Sequence, residues 1–373
     1  MHRPIDRRAG MTLVELLVVV AIIGLLAVTV LPNLSNTAEA RRTRETARAV
    51  STWVSKAQSR AIGRTEWAGF WIIPVNTSAP YAAAIDLQLA DVPEVYRGEG
   101  LNSRALVTAP GSINPTLPVP ATWAYRELAF PAIAGTPSIV LPDTAAGSNG
   151  RSINKADLVR FDGTGPWFEL LPLTTSNPIQ FGIQFRGIGS TQGTSGQNPL
   201  NTPWPLEAVP HSYEILRQPV RSGATYSFGD GRCIDLYWSG YASTGNPVGY
   251  QAFGVNQANV PFTAAMPIAI LFDASGRVRE LFHQGSRLAV EGTIFLLIGR
   301  VDRAGQVSVP NPAASNDDST GANWQYGDSY WIAIDPSSGV AKTAECAVGT
   351  ANASGDVAGS LAFIRSQLVA GGR

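Results

Sequence analysis

The stretch "RRAGMTLVELLVVVAIIGLLAVTVLPNL" (residues 7–34) decides how the rest of this chain is read. Residues 11–31 carry a single charge, Glu15. At ~1.5 Å per residue this run would make a helix about 31 Å long, close to the ~30 Å hydrocarbon thickness of a bilayer. Three readings fit such a run. It can be a plain membrane anchor. It can be a secretory signal peptide, with Arg3, Arg7 and Arg8 in front, residues 16–31 as the apolar region and Ala38-Glu39-Ala40 as the cleavage site. Or the cut falls ahead of the apolar run, which then stays in the mature chain.

Glu15 discriminates among them. A carboxylate inside a spanning helix costs about 2.5–3.5 kcal/mol on insertion scales, and such residues are functional by default. An anchor or a signal peptide has no use for it. A cut between Gly10 and Met11, by contrast, creates a positive amine four residues before Glu15. When such helices bundle, the carboxylate of one subunit can meet the amine of its neighbour in an apolar core. That pairing offsets its own desolvation only when both partners are present, so it acts as a register device.

Gly10-Met11-Thr12-Leu13-Val14-Glu15, preceded by Arg7 and Arg8, resembles the G-[F/M]-T-L-[V/I]-E signature of type IV pilins and pseudopilins. Gly24 and Pro32 fall where that family often loosens its helix, and both residue types weaken helix hydrogen bonding. The resemblance implies a leader at residues 1–10, cleavage between Gly10 and Met11 by a prepilin peptidase, N-methylation of Met11, and a transmembrane assembly helix over residues 11–38. It also implies partners: other pseudopilins or pilins, an inner-membrane assembly platform and membrane lipid. Charge alone does not orient the segment, because Arg41, Arg42, Arg44 and Arg48 lie close beyond it.

Beyond Pro32, Val50, Trp53, Val54, Ala57 and Ala61 recur at helical spacing, with Arg48, Lys56, Arg60 and Arg64 on other faces. Residues 39–64 are therefore expected to form an amphipathic helix, the outer half of one long helix lying on a sheet. The basic cluster suits headgroup contact beside a bilayer; a solvated helix face is the simpler reading. Residues 54–75 lead through Gly63 into a strand. "PIAILFDASGRVRELFHQG" (267–285) reads as two strands around Asp273-Ala274-Ser275-Gly276, where Asp opens the turn and Gly takes the positive-φ position. "TIFLLIGR" (293–300) is a buried strand, and "SYWIAIDPSSGVAKTAE" (329–345) repeats the strand, turn, strand scheme. Together these elements resemble the GspH/FimT minor pseudopilins and pilins over residues 7–75 and 266–345.

The implied fold class is α+β: a long N-terminal helix packed on an antiparallel β body (65–345) with a large β-rich insertion at about 76–265, then a C-terminal tail (346–373). Within the insertion, residues 158–161, 167–173, 179–185, 213–216 and 233–238 read as short strands. The composition agrees, with 37 Gly, 26 Pro and only 15% charged residues. The 28 basic and 28 acidic side chains cancel, so no nucleic-acid partner is expected.

Catalytic chemistry finds little support. Of the three histidines, His2 leaves with the leader, His283 lies in a strand and His211 has no G-x-S-x-G companion. "GIGSTQG" (187–193) lacks nucleotide-fingerprint spacing. Asp317, Asp318 and Asp328 are oxygen ligands of the calcium-binding kind at a spacing that matches no defined pattern; a solvated acidic loop is the simpler reading. No cofactor is expected. Cys233 and Cys346 are far from any zinc-ligand spacing, which leaves either one disulfide or two separate buried thiols. The chain reads as a non-enzymatic subunit of a filament. It is either a minor pseudopilin at or near the tip of a type II secretion pseudopilus, exposed to the periplasm, or a minor type IV pilin for adhesion, motility or DNA uptake.

Overall fold

The computed structural model describes residues 13–64, 67–75, 83–98, 103–108, 125–129, 157–172, 181–185, 204–229, 231–242, 250–254, 267–283, 286–290, 292–306, 321–346 and 357–370. Helix α1 (Leu13–Ile62) is continuous through Pro32, the one long helix that the sequence led us to expect. A twelve-stranded antiparallel sheet wraps its outer half. Its strands are β1 (Ala68–Pro74), β2 (Ala83–Asp91), β10 (Val220–Ser227), β11 (Arg232–Asp235), β12 (Gly240–Ala242), β13 (Tyr250–Ala252), β14 (Ile268–Phe272), β15 (Val278–His283), β16 (Ser286–Leu288), β17 (Ile294–Arg300), β18 (Tyr330–Ile334) and β19 (Ala341–Glu345). The order runs β19-β18-β17-β11-β2-β1-β14-β15-β16, with β12 and β13 also hung on β17 and β10 on β2.

Alternation along the strands builds two faces. Phe70, Ile72, Leu87, Ile270, Phe272, Leu296, Ile298 and Ile332 point inward, onto Ala47, Val50, Val54, Ala57 and Ala61 of α1. The predicted helical stripe is thus the one buried. Trp53 lies at its margin, half-buried beside Tyr226 at 5.8 Å between ring centroids. On the opposite face Phe295, Leu297 and Trp331 pack with Leu361 and Ile364 of helix α2 (Val357–Ala370). The segment expected as a tail therefore ends in a helix that seals part of the sheet's outer face.

The insertion is redrawn by the structure. A separate seven-stranded sheet comprises β3 (Ala105–Thr108), β4 (Tyr125–Ala129), β5 (Leu158–Phe161), β6 (Phe168–Pro172), β7 (Phe181–Phe185), β8 (Pro210–His211) and β9 (Tyr213–Leu216), in the order β8-β3-β4-β7-β6-β5-β9. The expected span 76–265 also contains β2 and β10 to β13, and these complete the main sheet instead. The smaller sheet has its own core (Val107, Val159, Phe168, Leu170, Ile183, Ile215). It docks on the back of the main sheet where Leu158, Trp167 and Leu216 meet Trp71, Ala269 and Leu271.

The disulfide reading is corrected by register. Cys233 stands opposite Gly299, Ile298 opposite Tyr330, and Tyr330 opposite Glu345, while the Cys346 N–H donates to the Ser329 carbonyl. The two cysteines are thus three strand steps apart, about 14 Å at ~4.8 Å per step, whereas a disulfide needs Cα atoms within ~7 Å. Both are buried free thiols, and burial pushes both thiol pKa values up.

Candidate assembly site

Helix α1 has two halves with opposite surroundings. Over residues 13–25 every side chain is exposed, including Leu13 at 79% and Leu25 at 72%. Ten large apolar side chains in that span lie open, well beyond the scattered exposure ordinary for a soluble surface. Glu15 sits in the first turn of this apolar half and is exposed with it. Gly10 and Met11 lie outside the described residues, and within α1 the side chains described on the apolar half end at Leu25. Among the described residues no helix is long and apolar enough to cross a membrane.

The outer half is fastened at both ends. At the near end Arg300 donates to Glu39 Oε2 at 3.0 Å, and Arg232 donates to the Glu39 carbonyl at 3.2 Å. At the far end Arg60 makes a two-pronged pair with Asp91 at 3.0 and 2.6 Å, joined by Arg64 at 2.8 Å. Between these, the Gln58 amide donates to the carbonyls of Gly276 and Ser338, at 2.9 and 2.8 Å. Those two carbonyls belong to the β14–β15 and β18–β19 turns, which lie on opposite limbs of the sheet. The sheet curls so far round α1 that these turns touch: the Val278 N–H donates to the Pro336 carbonyl at 2.9 Å.

Each of the two turns is held by its own aspartate. Asp273 Oδ1 accepts from the Ser275 and Arg277 N–H groups and the Ser275 hydroxyl; Asp335 accepts similarly from Ser337 and Ser338. Burial raises both carboxyl pKa values, but the hydrogen bonds outweigh it and both end lowered. The expectation for residues 273–276 thus holds, Gly276 included, at φ +81°. Gln58 was not foreseen. Its partners are backbone carbonyls more than two hundred residues away in sequence, which leave no local pattern.

The remaining sequence candidates fall elsewhere. Asp317 and Asp318 lie outside the described residues, while Asp328 accepts from Arg303 at 3.0 Å. Arg303 is 1% exposed and stacks 3.7 Å from the Tyr326 ring centroid. Among the described residues no group of three or more His, Cys, Asp and Glu is arranged to hold a metal ion. His283 is buried, its Nε2 at 3.0 Å from the Phe253 carbonyl, and burial pushes its pKa down to about 4.

His211 lies in the smaller sheet, with Nδ1 at 2.6 Å from Asp162 Oδ2 and Nε2 at 2.9 Å from the Leu206 carbonyl. The Ser212 hydroxyl donates to Asp162 Oδ1, not to the imidazole. Two acceptors facing one imidazole favour the charged ring. Burial lowers its pKa, but the Leu206 carbonyl and Asp162 more than reverse this, and the result is raised. Asp162 ends lowered, the His211 and Ser212 contacts outweighing its burial.

A histidine raised in the folded state contributes stability that is complete below its unfolded value of about 6.5 and fades as pH rises through the folded value. Asp162 contributes above about 3.8 and fades toward acid. Hydrogen exchange of β8, β5 and β9 amides, corrected for intrinsic rate, is therefore expected to show weakening protection as pH rises above about 6.5. His211→Gln should remove that dependence. Asp235, fully buried with its carboxyl pushed up to about 6, weakens the main sheet over a lower window, so the two contributions separate by pH and by place. An unchanged slope in His211→Gln would show that the pair carries no such charge.

Comparison with known proteins places one segment. Residues 5–31 match the family described as the prokaryotic N-terminal methylation motif. No curated protein and no solved structure matches the chain. The chain therefore carries a prepilin motif of the type IV pilin kind, the motif of pilin-like and pseudopilin-like proteins. That motif implies processing by a prepilin peptidase, assembly with other pilins, and a membrane-anchored protein connected with export.

Proposed function

We propose that this protein is a non-enzymatic minor pseudopilin, carried at or near the tip of a type II secretion pseudopilus and related to the GspH/FimT group. The observation that supports it best is the division of α1 into a half with ten open apolar side chains and a half gripped by the body. The first half suits a bilayer before assembly and a helix bundle afterwards. The second makes the body a rigid load on that helix. The additional seven-stranded sheet supports a tip or minor position, because such bulk on every subunit would obstruct helical packing.

Two measurements in the native host test this. The intact mass of the membrane-extracted chain is expected to begin at Met11 and to include one methyl group, with Gly10→Val blocking the cut. A species beginning at Arg41 would instead restore the signal-peptide reading. Deleting the gene is expected to retain exported substrates in the periplasm while surface pili persist. Normal secretion with loss of pili would move the protein to the minor type IV pilins.

A further inference from the structure

Strand β19 is the last strand on its side of the main sheet, and among the described residues it pairs with β18 alone. The register identifies the backbone groups left over. The Cys346 N–H donates to the Ser329 carbonyl, and the Asp335 N–H donates to the Val340 carbonyl. In an antiparallel ladder such hydrogen-bonded pairs alternate, which makes Ala344–Trp331 and Lys342–Ala333 the next ones. The N–H and C=O groups of Ala341, Thr343 and Glu345 therefore point away from β18. The β18–β19 register is unbroken and none of those three positions is proline, so neither a bulge nor a proline blunts this edge; the charged side chains it carries are Lys342 and Glu345.

This open edge lines a cleft of about 470 Å³. Its two walls differ because they belong to different faces of the sheet. Thr343 and Glu345 stand opposite Ile332 and Tyr330, on the face covered by α1. There Arg44 and Arg48 reach the cleft, both exposed, and among the described residues neither has an acidic partner within 4 Å. Ala344 stands opposite Trp331 on the other face, where α2 brings Phe363 to the cleft, 38% exposed. One carboxylate is already present, Glu345, whose Oε1 accepts from the Tyr330 hydroxyl at 3.0 Å. Two guanidinium groups against one carboxylate leave the α1 wall positive.

We propose that this rim is a strand-addition site for an extended segment of a partner protein in which carboxylates alternate with apolar residues. An added strand presents successive side chains to opposite faces. One set would meet Arg44 and Arg48, and the other would meet Ala344 and Phe363. Main-chain hydrogen bonds to Thr343 and Glu345 supply affinity, and the two unlike walls supply the choice of side chains. The inference does not depend on which filament the protein serves.

The test uses the full chain in detergent and three fluorescent heptapeptides. One alternates Val and Glu, one alternates Val and Lys, and one has the first composition with like residues grouped. The alternating acidic peptide is expected to bind at least tenfold more tightly than either control. Thr343→Pro should weaken it at least tenfold without moving the melting temperature, because the Thr343 N–H takes no part in the β18 ladder and proline is tolerated on such an edge. Arg44→Glu with Arg48→Glu should transfer the preference to the Lys peptide, and this decides the matter if Thr343→Pro melts early. Equal binding by wild type and a folded Thr343→Pro would overturn strand addition, as would no binding of any peptide. Capture of phosphatidylglycerol vesicles through the two arginines, with no peptide bound, would make the cleft a headgroup contact and also sink the proposal.

Discussion

Glu15→Ala is expected to leave export and leader cutting intact while reducing docking to partner subunits a hundredfold or more. The alanine makes residues 11–31 more apolar, so membrane insertion should if anything improve. What is lost, on the proposed reading, is the carboxylate that would meet a neighbour's new amine. The amine then enters an apolar bundle uncompensated, a penalty of about 3–5 kcal/mol for a fully buried pair. Every 1.4 kcal/mol is about tenfold in affinity. Crosslinking of mature wild-type and mutant chains to co-expressed filament subunits, in native membranes, reads the difference directly. Equal crosslinking would leave Glu15 with a role in recognition by the peptidase alone.

Within the body, a large effect of a single added methyl group is expected at Gly339. This residue has φ +68°, and a Cβ there would stand 2.0 Å from the Gly276 carbonyl oxygen and 2.7 Å from the Gln58 amide nitrogen. The first neighbour is backbone and cannot turn aside. Gly163, at φ +64°, has nothing within 4 Å of the same position. Gly163→Ala thus isolates the conformational cost, about 1–2 kcal/mol for a left-handed residue. Gly339→Ala adds the separation of the two turns and the loss of the Gln58 hydrogen bonds, for roughly 3–5 kcal/mol in all. Urea midpoints of the two variants, at equal m-value, provide the measurement. Similar losses in both would mean that the contact between the turns contributes nothing.

The sequence announces what is local and conceals what is not. Ala57 and Ala61 keep helical period with Val50 and Val54, so the buried stripe of α1 could be read directly. Asp273-Ala274-Ser275-Gly276 names its own turn, since the aspartate, the serine and the glycine each act within four residues. The boundary of the insertion was hidden because β10 is exposed along nearly its whole length and shows no alternation to read. Strand β2 and strands β10 to β13 join the main sheet through pairings that skip the smaller sheet between them, and nothing in a linear pattern reports such a return. Helix α2 was missed because Gly359, Ser360 and Ser366 interrupt its apolar residues. The even choice between a disulfide and two thiols needed one fact, the count of strands between Cys233 and Cys346. On the α1 side, Glu15 was legible as a candidate by its cost in an apolar run. Gln58, Arg60 and Arg300, which fix the helix to the body, were not, because hydrophilic residues on a helix give no sign of whom they meet.

The fastening of α1 has a mechanical consequence. Glu39 lies near one end of the embedded half and Gln58, Arg60 and Arg64 near the other, with the alanine and valine stripe between them. Traction along the helix axis, of the kind a growing or retracting fibre exerts, would strain all of these attachments together. A sideways pull at Glu39 would open them one after another, as a zipper opens. The body is thus built to resist withdrawal of its helix far better than peeling, and a subunit towed by its own N-terminal segment is loaded in the stronger of the two directions.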